Sequence, residues 1–191
     1  PERRAQPVAD DVAMAQLTDT QSCQPALLAV GVALTRLLAQ AAVTPHVVVG
    51  HSVGEFTAAV AAGVLSAADG VRWAAVRGQA MAAIEGDLGA MVALVADLET
   101  VRGLLVDGAV VANVNHPRQV VVAGTTDAVA AVAAAATARE INAVPLAVSH
   151  GFHSPVLAGL DLAAAVDSLE LHDPTVPVAS CIQDHIYADA A

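Results

Sequence analysis

Apolar positions along this chain follow two textures that change over near Leu88. Upstream the spacing is helical: residues 24–40 read as a helix with Pro25 in its first turn, where proline is tolerated. His46, Val47, Val48 and Val49 give a short buried-strand signal. Residues 55–62 read as a helix stopped by Gly63. Ser66-Ala67-Ala68-Asp69 fits a capping box that opens a helix through about Ile84, with Gly86 marking its end.

Downstream of Leu88 the pattern shortens. Residues 89–95 alternate as a strand, 98–106 are helical, and 109–115 with 119–124 predict two strands joined by a turn at His116-Pro117. Residues 125–140 form an alanine-rich helix capped by Thr125 or Thr126, and 141–148 return as a strand around Pro145. The order βαββαβ is the split βαβ, or ferredoxin-like, arrangement. It predicts a subdomain of residues 87–150 inserted into a larger α/β subdomain made of 1–86 and 151–191. In the latter, 157–169 read as helix and 176–179 as a short strand before an unpatterned tail. There is no internal repeat, and the alanine runs read as helix rather than linker.

Composition narrows the functional classes. Hydrophobic residues make up 56% of 191, yet the richest stretch, 120–138, is broken by Gly124, Thr125, Thr126 and Asp127, so no membrane span is expected. The opening Pro1-Glu2-Arg3-Arg4 lacks a signal-peptide core. Cys23 and Cys181 lie far apart, as expected of free thiols in a reducing, cytoplasmic setting. A net charge of −11, with 19 acidic residues against 8 basic ones, disfavours nucleic acid as a partner. All the basic residues are arginine, which removes lysine chemistry, and an anionic substrate would have to be met by a local arginine.

The candidate chemistry starts at Gly50-His51-Ser52-Val53-Gly54. This G-x-S-x-G step stands between a strand signal and a helix signal, the setting in which a serine is presented as a nucleophile on a sharp turn. The following helix N-terminus offers amide N–H groups to negative charge. A serine hydroxyl needs a base. Of seven histidines, His153 is the best placed, where the insert returns to the main unit; the alternative is a surface or capping histidine. His51 fits local packing better than the role of base. Arg77, in an apolar helical stretch, suits bidentate capture of a carboxylate, or else is a surface arginine paired with Glu85 or Asp69. Asn113 and Asn115 beside Pro117 are ordinary turn and capping residues. His150 and His153 have metal-ligand spacing without a third ligand nearby, so no metal is expected.

Five segments together resemble the malonyl-CoA:acyl-carrier-protein transacylase family, including the acyltransferase domains of polyketide and polyunsaturated-lipid synthases. They are Gln24-Pro25-Ala26-Leu27, Gly50 to Glu55, Arg77-Gly78-Gln79, Asn113 to Gly124, and His150-Gly151-Phe152-His153-Ser154-Pro155. The resemblance implies an α/β fold with a parallel-sheet, α/β-hydrolase-like core and the inserted ferredoxin-like subdomain, truncated at both ends. It implies that Ser52 takes the acyl group, that His153 is the general base and later acid, and that the Val53 N–H is an oxyanion donor. Arg77 would hold the free carboxylate of malonate, with His51, Phe152 and Asn115 lining the substrate site. Phe152 would crowd a methyl branch, a discrimination worth about 1–3 kcal/mol, although Gly151 stands where the family usually has alanine.

The implied reaction is ping-pong, from malonyl-CoA to Ser52 and then to the phosphopantetheine thiol of an acyl carrier protein. It uses no metal or redox cofactor. Neighbouring domains of a larger synthase are the expected partners, with no nucleic acid and no membrane. Two features depart from the family. Nothing before Gln24 resembles the Gly-Gln-Gly-like turn that supplies the second oxyanion donor, and the chain stops soon after Cys181, which stands where asparagine is common. An α/β-hydrolase-type esterase or thioesterase, with Asp107 or Asp127 as its acid, and a non-catalytic remnant with a structural or carrier-docking role are the competing readings.

Overall fold

A computed structural model describes residues 10–183 and 185–188. The chain forms two compact units, one from the chain up to Ala82 and from Asp161 on, the other from Ala83–Leu160. The divisions expected at 86/87 and 150/151 therefore lie several residues away. Residues 151–160 pack with the second unit because the Gly151 N–H bonds to the Leu88 carbonyl at 2.8 Å and Phe152 packs against Met91, Val121 and Ala123.

The first unit begins with α1 (Asp10–Thr18) and α2 (Thr20–Gln40). Helix α2 starts four residues before the expected boundary because Asp19 caps it, accepting the Gln21 N–H at 3.1 Å. Pro25 consequently lies inside the helix, where it withholds an N–H from the carbonyl of Gln21. With 21 residues and a mean hydropathy of 1.4 over an 18-residue window, α2 is by length and composition alone long and apolar enough to cross a membrane.

Next come β1 (Val48–Val49), α3 (Gly54–Ala61) and α4 (Ala67–Ala82). The strand is shorter than expected and not buried, Val49 being 65% exposed. Gly63 ends α3 at φ +80°, a conformation glycine adopts without Cβ penalty. Ser66 caps α4 as its sequence predicts, its Oγ accepting the Asp69 N–H at 3.0 Å. Leu28, Val32 and Ala74 form this unit's core with Phe56, Val60, Ala67 and Val71 around them. Helices α2 and α4 approach closely at Gly78, where a Cβ would stand 2.7 Å from the Thr20 carbonyl oxygen.

The second unit runs β2 (Ala90–Leu94), α5 (Leu98–Arg102), β3 (Ala109–His116), β4 (Gln119–Gly124), α6 (Thr126–Ala138) and β5 (Ala143–Pro145), the βαββαβ order read from the sequence. Its sheet has the order β3-β4-β2-β5 with every pair antiparallel. Asp97 and Thr125 cap α5 and α6 through their side chains. The main core, including Leu94, Val101, Val120, Val122 and Val132, joins the helices to one face of the sheet. Met91, Val121 and Ala123 occupy the other with Phe152.

The helix expected over 157–169 is not continuous. A 3-10 turn at Pro155–Leu157 is followed by the short α7 (Ala163–Asp167), ahead of which the Asp161 carboxylate accepts the Ala163 N–H at 3.1 Å in a local turn that competes with a continuous helix. Strand β6 (Val178–Ala179) runs parallel to β1, with Val49 opposite Ala179. The segment read as unpatterned contributes β7 (Ile186–Tyr187), antiparallel to β6. This sheet, β1-β6-β7, thus has one parallel and one antiparallel pair rather than a wholly parallel set.

Candidate active site

Within the first unit, Ser52 lies at the junction of β1 and α3 with φ +53°. A non-glycine residue in this left-handed region is uncommon, and the surrounding structure must hold it there. The turn does so by successive backbone bonds: the Gly54 N–H to His51 O at 2.9 Å, Glu55 to Ser52 O at 3.0 Å and Phe56 to Val53 O at 3.2 Å. Gly50 is required by contact, because a Cβ there would run into the Glu55 backbone. Gly54 has open space around it. Ser52 is half-buried and His51 exposed. Val53 is the N-cap residue of α3, at the helix end whose first amides lack intrahelical acceptors.

Helix α4 positions Arg77, which is half-buried. Neither acid proposed from the sequence pairs with it: Asp69 accepts from Arg72 at 2.8 Å and from Ser66 at 2.7 Å. Arg72 pairs with Asp69 and Arg102 with Glu99, and Arg77 is in neither pair. Its Nη1 instead donates to Gln24 Oε1. Burial lowers the guanidinium pKa from its ordinary value, yet arginine stays charged at neutral pH.

Gln24, which the sequence offered only as part of a family-matching segment, is the residue that holds Arg77. It is 5% exposed, and its Nε2 donates to Thr20 Oγ1 at 2.7 Å and to Met81 Sδ at 3.2 Å. Because the amide nitrogen is engaged there, the oxygen must face Arg77. The available signal was a glutamine in register with Leu28 and Val32, four and eight residues on, in the buried stripe of an apolar helix. Cys181 also reaches the turn, its thiol donating to the Gly50 carbonyl at 2.6 Å, as the register of β6 beside β1 allows.

The remaining candidates belong to the second unit. His153 is exposed with φ +59°, in the left-handed region like Ser52, Ala42 and Glu140. Its turn is held by Ser154, whose hydroxyl donates to the Gly151 carbonyl at 2.6 Å and accepts the Val156 N–H at 3.3 Å. Phe152 packs on the sheet, with its ring 5.7 Å from that of His150. A Cβ on Gly151 would stand 2.9 Å from the Gly124 carbonyl oxygen, so this backbone favours glycine where alanine is usual. Asn115 is exposed near the end of β3. Among the described residues no three His, Cys, Asp or Glu side chains cluster as metal ligands.

In chemical terms the first unit presents a hydroxyl on a constrained turn and a guanidinium clamped by an amide, while the second presents an exposed imidazole. Residues 5–186 match the family model described as acyl transferase domain. Mycoketide-CoA synthase of Mycobacterium tuberculosis is 42% identical over 91% of this chain and 4% of its own length. The malonyl CoA-acyl carrier protein transacylase of a Synechocystis species is 39% identical over 87% of this chain and 57% of its own. The crystal structure of the acyltransferase domain from the second module of the salinomycin polyketide synthase is similar with a TM-score of 0.86 and 38% identity, over 96% of this chain and 43% of that one. The chain thus spans less than two thirds of the length of each of these proteins. It belongs to the acyl transferase domain family.

Proposed function

We propose that this chain carries the acyl-loading site of a malonyl-CoA:acyl-carrier-protein transacylase, as part of a larger cytoplasmic synthase or transacylase. The observation that carries the reading is Arg77, a half-buried guanidinium fixed by Gln24 and, among the described residues, outside both carboxylate pairs, in the unit that holds Ser52 on its turn. A desolvated cation of this kind favours an acyl group that brings its own carboxylate. The names of the relatives support the same substrate class.

In the proposed reaction Ser52 Oγ attacks the malonyl thioester carbonyl while His153 accepts the hydroxyl proton. The C–S bond breaks, the proton passes to the departing coenzyme A thiolate, and malonyl-Ser52 remains. The carrier's phosphopantetheine thiol then attacks this ester, with the proton returning through His153 to Ser52 Oγ. The Val53 N–H would donate to the oxyanion in both steps. Each step exchanges one acyl bond and one proton, so it balances without an oxidant, reductant or metal ion. His51, Asn115 and Phe152 are assigned to the substrate's surroundings by the family resemblance.

The fold supports the reading in two respects. The βαββαβ order with sheet order β3-β4-β2-β5 is consistent with a ferredoxin-like inserted subdomain. The strand-turn-helix at Ser52 and the parallel β1–β6 pair are consistent with an α/β-hydrolase-like core. Intact-mass measurement after mixing with malonyl-CoA tests the proposal. A malonyl adduct that maps to Ser52 and disappears in Arg77→Ala is expected. Equal loading of acetyl and malonyl groups, or no adduct on a folded sample, overturns it.

A further inference from the structure

Ser52 sits at φ +53°, so both ends of its turn must be fixed if the hydroxyl is to keep one direction. On the far side α3 does this, with the Gly54, Glu55 and Phe56 amides each bonding back into the turn. On the near side the support is thinner. Strand β1 has two residues, and its ladder to β6 ends where Val49 stands opposite Ala179. Gly50 and His51 therefore cross from strand to nucleophile beyond the last ladder pair. Gly50 is buried, and buried backbone polar groups are paired.

A partner comes from the continuation of β6. The Cys181 thiol donates to the Gly50 carbonyl at 2.6 Å, so a side chain carries the link between the two strands one step past their ladder. Ser180 sets the aim of that side chain. Its N–H bonds to the His185 carbonyl at 3.0 Å, and its Oγ accepts the Ile182 and Gln183 N–H groups, both at 3.0 Å, which turns the chain just after β6. The Cys181–Gly50 spacing is that of a hydroxyl donor, whereas a thiol is a weak donor. Gly50 has no freedom on its other side, where a Cβ would run into the Glu55 backbone. The peptide that leads into Ser52 is thus held between the first turn of α3 and the thiol.

We propose that Cys181 is a positioning residue for acyl transfer at Ser52: its thiol fixes the Gly50 carbonyl, and with it the backbone that presents the nucleophile. Small misplacements of a reacting group cost rate without weakening substrate capture. The inference rests on Ser52 being the acylated residue, as in the proposed function, and not on malonate being the acyl group.

Cys181→Ala removes the donor, and Cys181→Ser restores one that suits the spacing. Acylation of Ser52 is timed by intact mass with malonyl-CoA and with p-nitrophenyl acetate, and amide exchange is followed by NMR. Cys181→Ala should lower the maximal acylation rate by about 3- to 10-fold with both acyl donors. The malonyl-CoA concentration giving half that rate should not change, because Arg77 is untouched. Exchange of the Gly54 and Glu55 amides should quicken several-fold, while the amides of α4 and the urea midpoint read by Trp73 stay near the wild type. Cys181→Ser should return every readout to the wild-type value. The proposal is overturned if Cys181→Ala acylates and exchanges like the wild type, or if Cys181→Ser behaves like Cys181→Ala. It also fails if exchange rises equally in α4, which makes the thiol a general stabiliser, or if the acyl group is found on Cys181, which makes it an acceptor. Acylation by the ester but not by malonyl-CoA counts against the malonyl reading alone, and the ester rates then decide the role of Cys181. A folded chain in which neither donor acylates Ser52 overturns both.

Discussion

Replacing Gln24 tests whether Arg77 is held by design or by coincidence. Gln24→Leu keeps roughly the same volume but removes the acceptor of Arg77 and the donor to Thr20 Oγ1 and Met81 Sδ. A hydrogen bond to a charged group is worth about 1.5–3 kcal/mol, and the solvent still reaching Arg77 argues for the lower half, about 1.5–2 kcal/mol. Gln24→Glu should cost less, because a carboxylate satisfies the guanidinium even though the donor to Thr20 is lost. Urea unfolding followed through Trp73, the single tryptophan and buried in α4, reads the first unit directly. The two variants should part in function as well. An internal carboxylate competes with that of the substrate, so Gln24→Glu should lower malonyl loading by more than tenfold while leaving acylation of Ser52 by a neutral active ester near that of the wild type. Gln24→Leu should reduce malonyl loading by about 10- to 30-fold, the equivalent of 1.4–2 kcal/mol. The reasoning fails if Gln24→Leu unfolds at the wild-type urea concentration, or if Gln24→Glu depresses neutral and malonyl loading equally.

Gly50→Ala should destabilise the first unit by about 3 kcal/mol or more, because the added Cβ meets the Glu55 backbone; Trp73 fluorescence in urea checks this, and a cost under 1 kcal/mol would contradict the turn geometry. Gly151→Ala should cost about 1–3 kcal/mol, since the Gly124 carbonyl must move, and an increase in stability by calorimetry would show that the loop yields freely. Asp87 ties the start of β2 to α6, accepting the Thr126 hydroxyl and N–H and the Gly89 N–H, which lowers its pKa from the ordinary carboxylate value of 3.8. A depressed folded-state pKa gives stability that is present above the unfolded value and lost as pH falls through the folded one. Asp87→Asn should therefore flatten the loss of second-unit stability below about pH 4, as followed by amide NMR signals of α6 during acid titration.

The local code of this chain was legible to within a few residues wherever one element's own chemistry decides it. Ser66 and Thr125 cap their helices, Gly63 stops α3, and the βαββαβ order follows from alternation and turn residues that act over short distances. The serine turn and the arginine were visible for the same reason, as was the family resemblance, because side-chain types at fixed spacing are a property of the chain itself. The long helix expected over 157–169 failed because helical spacing is a weak signal against a local turn in which the Asp161 carboxylate takes the Ala163 N–H. Tertiary contacts decided the rest. Gln24 became a clamp only when Gly78 let α4 approach α2, so that Arg77, Met81 and Thr20 surrounded one amide. Asp69 was removed as a partner for Arg77 by Arg72, which lies three residues on and reaches it first. The extent of β1 and the β7 hairpin depend on what each segment packs against. Period and composition specify which faces are apolar; only packing determines which of those faces find a partner.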